Sequence, residues 1–293
     1  MPLEIACHLN VLVADLEQPR LTAALAELAE LGYSHVVLPP IDPASAPLVP
    51  LRAAFHDAGL SPITIAGQSP DADVSSLDPE ERQRGHEALR AMVDATLALG
   101  GDQMNGVPYG LFGHPMGEVS REAFELSAAA VGSVADYAHE RGVTMTFEVL
   151  NRYETAMLNT AAQAREFVAA SGSEHLRIHL DSFHMAVEEA DMLDAVRSSV
   201  PVLGYLELGQ SGRGPLSTGS VDAEAVVHAA LAAGYAGRVG IEAFSRSVLS
   251  GFASDMLAIW RQPYSDGHAL AAEAIQLIRS AESTGIPAGP ITP

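Results

Sequence analysis

A chain of 293 residues that is 48% hydrophobic can bury one large core, and 37 acidic against 16 basic residues give it a formal charge of −21. A field of that sign repels phosphate backbones and anionic lipid headgroups, which excludes nucleic acid and membrane surfaces as partners. The lone Cys7 excludes an internal disulfide and any thiolate metal cluster. The amino terminus lacks a basic segment followed by an apolar one, and no run approaches the roughly 20 apolar residues that cross a bilayer, so a cytoplasmic protein is expected.

Taken in order, short β-rich runs occur at Leu3 to His8, His35 to Leu38, Ile63 to Ala66, Asp102 to Gly106, Val143 to Glu148, Leu176 to Asp181, Val202 to Leu208 and Arg238 to Ala243. Between them lie Ala/Leu-rich stretches with apolar residues at helical spacing, such as Leu21, Leu25 and Leu28, or Phe124, Val131, Val134 and Ala138. Six of these stretches close on a glycine, at 32, 59, 100, 142, 172 and 234, as a left-handed helix cap requires. Thr160 followed by Gln163 predicts a capping box after the fifth strand. Strand and helix alternating with short connections predict parallel βα units. Eight of them, with no glycine fingerprint after the first strand, predict a single (β/α)₈ TIM barrel over residues 1–293 rather than an open doubly wound sheet. The tail from Ile286 to Pro293 is predicted to be extended or frayed.

Four acids stand at or near the ends of consecutive runs: Glu148, Asp181, Glu207 and Glu242. In a barrel these positions ring one mouth, where strand ends deliver catalytic groups. Nearby basic residues are too few to neutralise them, so a divalent cation is the expected counter-charge. Oxygen ligands favour Mn²⁺, or else Mg²⁺ or Co²⁺, over zinc.

Around these acids the chain resembles the D-tagatose 3-epimerase and D-allulose 3-epimerase family of sugar isomerase barrels. The most specific matches are Glu148-Val-Leu-Asn-Arg-Tyr-Glu154 and Leu180-Asp-Ser-Phe-His-Met185, supported in order by Gly106-Val-Pro-Tyr, Arg213-Gly, Gly219-Ser-Val-Asp and Glu242-Ala-Phe-Ser. The resemblance implies a metal-dependent epimerase or isomerase of a ketose or keto-sugar derivative. Glu148 and Glu242 would then be both ligands and the acid/base pair, moving a proton through a metal-stabilised enediolate. Asp181 and Glu207 would complete the metal set, and Glu154, His184 and Arg213 would bind the sugar. A homodimer or homotetramer is implied as well, with Trp260 and Tyr264 in the region where relatives associate.

Several positions depart from that family. Its seventh strand carries a metal-binding histidine followed three residues on by glutamate, whereas this chain has Glu207 and Gln210. Glu207 either makes a four-carboxylate site or turns aside to pair with Arg213. Asn10, Val37 and Ala186 also differ, at positions expected to touch the far end of the sugar, so a less polar, modified or oxidised derivative is expected as substrate. His8, near the end of the first run, reads as a core or rim histidine. The alternatives are a non-catalytic or metal-free sugar-binding barrel and a lyase acting on an oxidised sugar. Barrels that repair abasic DNA need a histidine-rich multi-zinc site and a basic groove, which the charge contradicts.

Overall fold

The computed structural model describes residues 2–284; the predicted tail from Ile286 lies outside them. Eight strands, β1 (Ile5–His8), β2 (His35–Val37), β3 (Ser61–Ala66), β4 (Gln103–Gly106), β5 (Thr144–Val149), β6 (Arg177–Asp181), β7 (Leu203–Gly209) and β8 (Arg238–Glu242), close into one barrel in chain order. Every neighbouring pair is parallel, and β8 pairs with β1 through Ala6 opposite Gly240. The chain is a single (β/α)₈ barrel as predicted. Strand β3 starts earlier than expected, at Ser61, whose N–H donates to the Ser34 carbonyl, so Pro62 lies inside a strand.

The helices are α1 (Arg20–Leu31), α2 (Leu48–Ala58), α3 (Pro79–Leu99), α4 (Arg121–His139), α5 (Ala161–Ser171), α6 (Ser182–Glu188), α7 (Met192–Ser199), α8 (Ala223–Ala232), α9 (Gly251–Met256) and α10 (Gly267–Thr284). Their local causes are the predicted ones. Helix α1 buries Leu21, Ala24, Leu25 and Leu28 along one face, and α5 starts at the Thr160–Gln163 capping box. Two pairs of helices, α6 with α7 and α9 with α10, follow β6 and β8 where single helices were expected, and α6 begins directly on Asp181, whose carboxylate accepts the Phe183 N–H at 2.9 Å. No helix among the described residues is long and apolar enough to cross a membrane.

The apolar core lies mainly between barrel and helices, where Phe55, Phe147, Phe167 and Ile278 are buried. Each such side chain contributes roughly 1.5–3 kcal/mol by leaving water. Inside the barrel the apolar layer is small, formed by Ala6, Val37, Ile63 and Tyr205 with Ile65 against them. Above it the interior turns polar, with Asn105, Thr146, His179 and Glu207 all buried. That change of character places the functional end of the barrel at the strands' carboxyl termini.

Candidate active site

Side chains two apart on a strand share a face, so the residues that point inward beneath the mouth can be read along each strand: Thr146 then Glu148, His179 then Asp181, Tyr205 then Glu207. Glu148 is fixed by its backbone: the Tyr109 hydroxyl donates to its carbonyl at 2.9 Å, and Tyr109 is itself wedged edge-on against Phe147 and Phe167 at 6.0 Å. Asp181 is fixed by capping α6. The Ser182 hydroxyl donates to the Gly209 carbonyl at 2.9 Å and lies 3.0 Å from the Gly209 N–H, tying the start of α6 to the end of β7. Gly209 is needed there, because a Cβ would stand 2.6 Å from Asp181 Oδ1.

Arg213 sits at φ 56°, a left-handed backbone conformation that costs a non-glycine residue about 1 kcal/mol or more. The surrounding loop enforces it. Gln210 is buried, donates to the carbonyls of Leu216 and Val221, and accepts the N–H groups of Ser211 and Val221. Gln210 is thus spent on building the loop. The Arg213 guanidinium stacks 3.5 Å over the Phe183 ring and pairs with Asp181, at 3.1 Å, and with Glu242. Its partners are therefore Asp181 and Glu242, and the expected alternative pairing of Arg213 with Glu207 is absent among the described residues.

Glu207 meets histidines instead. Its Oε1 lies 3.1 Å from His8 Nε2 and its Oε2 lies 3.1 Å from His179 Nε2, and the Tyr205 hydroxyl donates to Oε1 at 3.4 Å. His8 Nδ1 in turn lies 3.4 Å from Glu242 Oε1. On the other side of the mouth, His184 Nδ1 accepts the Asn151 backbone N–H at 3.1 Å, leaving Nε2 to face Glu148 at 3.3 Å and Asp181 at 3.7 Å. The Asn151 amide also donates to Glu154 at 3.0 Å.

The electrostatics separate the acids. Burial pushes Glu242 up to about 7 against the pull of Arg213 and His8, and burial likewise raises Asp181. Burial alone would raise Glu207 and Glu148 too, but His8 and His179 hold Glu207 below the carboxylate range, and His179 and His184 lower Glu148. Burial would lower His8, yet Glu207 and Glu242 keep it at about 9.

The ligand types suit a divalent cation. Carboxylate and imidazole atoms within 4.8 Å of one another form three groups, namely His8, Glu207 and Glu242; Glu148, Asp181 and His184; and Glu148, His179 and Glu207. None of the groups contains all four strand-end acids. Both ring nitrogens of His179 and Glu207 Oε2 are buried without a well-formed hydrogen bond, although Nε2 and Oε2 stand 3.1 Å apart. Thiolate plays no part, and a hard cation fits.

A cavity of about 210 Å³ opens above these groups and touches Glu148, Glu154, His184, Arg213 and Glu242 together. The rest of its lining is largely apolar, with Pro39, Ile65, Val107, Phe112, Phe244 and Leu257. Of the three divergent positions, Asn10 lines this cavity. Val37 does not, because it is packed into the barrel's apolar layer, and Ala186 is exposed on α6. The seven predicted site residues thus converge on one mouth. Sequence reasoning passed over His179, Asn151 and Tyr109 and read His8 as core or rim, although the spacing of His179 two residues before Asp181 already put both on one face.

The chain's residues 25–281 match the model of the xylose isomerase-like TIM barrel family. It is 36% identical to an L-ribulose 3-epimerase of Mesorhizobium japonicum over 92% of this chain and 91% of that one. It is also 36% identical to a ketose 3-epimerase of Arthrobacter globiformis over 94% and 96%. Among solved structures, a D-allulose 3-epimerase from Methylomonas sp. in complex with D-allulose superposes with a TM-score of 0.90 at 33% identity, covering 95% of this chain and 97% of that one. The chain therefore belongs to the xylose isomerase-like TIM barrel family and, by its relatives, to the ketose 3-epimerase group of isomerases.

Proposed function

We propose that this protein epimerises a small ketose at the carbon next to its carbonyl, using Glu148 and Glu242 as the two proton-transfer groups. The observation that carries this reading is the meeting of both carboxylates in one small cavity with Arg213, His184 and Glu154. Inverting a carbon through its carbanion needs a base on one face and an acid on the other. Glu148, held ionised by His179 and His184, is suited to take the proton; Glu242, whose burial favours the protonated form, is suited to return one.

A divalent cation, Mn²⁺ in preference to Mg²⁺ or Co²⁺, would be held between two neighbouring ligand groups, by Glu148 and Asp181 of one and Glu242 of the other, with Glu207 and His8 adjacent, and would polarise the substrate carbonyl. Arg213, His184 and Glu154 bind and orient the sugar's polar end. The apolar wall offers little to distal hydroxyls, which favours a pentulose or a deoxygenated or modified hexulose over an ordinary ketohexose. Trp260, 66% exposed beyond the site, supports a homodimer or homotetramer formed across this face.

The test is solvent exchange. With Mn²⁺ loaded, the protein is expected to place deuterium from D₂O on the carbon beside the carbonyl of a ketopentose or ketohexose and to yield its 3-epimer. Sugars recovered without deuterium across a panel of both classes overturn the reading.

A further inference from the structure

Of the three imidazoles at the mouth, two have other duties. His184 Nδ1 accepts a backbone N–H from Asn151, so the proton of a neutral ring is on Nε2, aimed at Glu148 and Asp181; this ring is a donor. His179 lies edge-on to Tyr205 at 4.8 Å and opposite Glu207 Oε2, where it steadies that carboxylate from the far side. His8 is different. Its ring is strung between two carboxylates, with Nε2 on Glu207 and Nδ1 on Glu242, one of the proposed ligands.

The backbone makes room for this arrangement. His8 is on β1 and Glu207 on β7, with β8 between them. The β8 residue opposite Glu207 is Gly240, and a Cβ there would stand 2.8 Å from Glu207 Oε1 and would overlap the Tyr205 hydroxyl. Only a residue without a side chain lets groups from β7 and β1 meet across the intervening strand. Glu207 itself is fully buried, and both its oxygens already face nitrogen. A neutral histidine with one ring N–H on a carboxylate and the other nitrogen toward a cation is a recurrent metal-ligand unit.

We infer that His8 is the nitrogen ligand of the cation, bound through Nδ1 beside Glu148, Asp181 and Glu242, and that Glu207 is a positioning residue that holds the His8 ring through Nε2. This rests on the reading above that the mouth takes a divalent cation.

Pulsed electron paramagnetic resonance of the Mn²⁺-loaded chain, with metal content measured in parallel, separates the two claims. The native protein is expected to retain about one Mn²⁺ per chain and to show nitrogen modulation from one bound imidazole. His8→Gln should keep the fold, bind Mn²⁺ at least about tenfold more weakly and lose the nitrogen signal. Glu207→Gln should weaken binding about tenfold and retain the signal. His184→Gln and His179→Gln should also retain it, which assigns His8 by elimination even if His8→Gln fails to fold. Mn²⁺ bound without nitrogen modulation, or modulation that survives in His8→Gln or disappears in His184→Gln or His179→Gln, overturns the role of His8 alone. A native chain that retains no metal under any loading overturns the cation reading and this inference together.

Discussion

The two ends of the barrel treat charge in opposite ways. At the amino-terminal end, Arg238 spreads its guanidinium over a matched set of acceptors: Glu4 at 2.8 Å, Asp102 at 2.6 and 2.9 Å, and Gln103 at 2.8 Å. Its planar fork satisfies donors and acceptors together, and the plug is complete. At the carboxyl-terminal end two of four acids share Arg213 and the other two face histidines, two nitrogens of His179 and one oxygen of Glu207 lack hydrogen-bond partners, and the acids are pushed apart in proton affinity. Buried charges left in this condition cost several kcal/mol per ion unless something else compensates them. The same fold therefore spends ionic groups on closure at one end and holds them ready for a ligand at the other.

Breaking the ready end should cost activity without costing the fold. Glu148→Gln and Glu242→Gln are each expected to lower kcat about a thousandfold, since each removes a proton-transfer group. The melting temperature should stay level or rise in Glu242→Gln, whose charge burial disfavours, and fall slightly in Glu148→Gln, whose charge His179 and His184 favour. Steady-state epimerisation and thermal melts on the same preparations check both halves. Breaking the closed end should do the reverse. Arg238→Ala leaves the half-exposed Asp102 and Glu4 without their partner and should destabilise the protein by about 1 kcal/mol in denaturant titration, with kcat unchanged.

Arg213→Ala removes the guanidinium that pairs with Asp181 and Glu242 at the ready end. Losing a charge-assisted contact of about 1.5–3 kcal/mol should cut kcat/KM by about 10- to 100-fold, chiefly through KM. The smallest effect is expected from His35, at the closed end. Burial and the nearby Arg238 hold its pKa below the usual value, against Asp102 and Glu4, so the folded ring is neutral where the unfolded ring already takes a proton. Its contribution to stability is fully present above about pH 6.5 and is lost as pH falls below that. Denaturant titrations of the native chain and His35→Gln between pH 7 and 5 should diverge slightly, the native protein losing the more.

Much of the site was legible because its signals are local. Strand-end position singled out Glu148, Asp181, Glu207 and Glu242, and the motif around Asp181 and His184 implied their neighbours. Gln210 and Val37 were legible only as departures. One proves to be a loop staple and the other part of the barrel's apolar layer, because neither burial nor the direction of a loop side chain is written in spacing. The additional helices α7 and α9 escaped notice for a similar reason: each is short, and its amphipathic signal is brief.

The sequence by itself determined the alternation of strand and helix, the closing glycines, the capping box and the row of acids, since hydrophobic period and cap chemistry act over a few residues. The tertiary structure alone decided which acid meets which base. His8 and Glu207 lie far apart in the chain, and they meet because β8 closes the barrel onto β1 with Gly240 between them. Barrel closure is a long-range event, and its register determines pairings that no local pattern encodes.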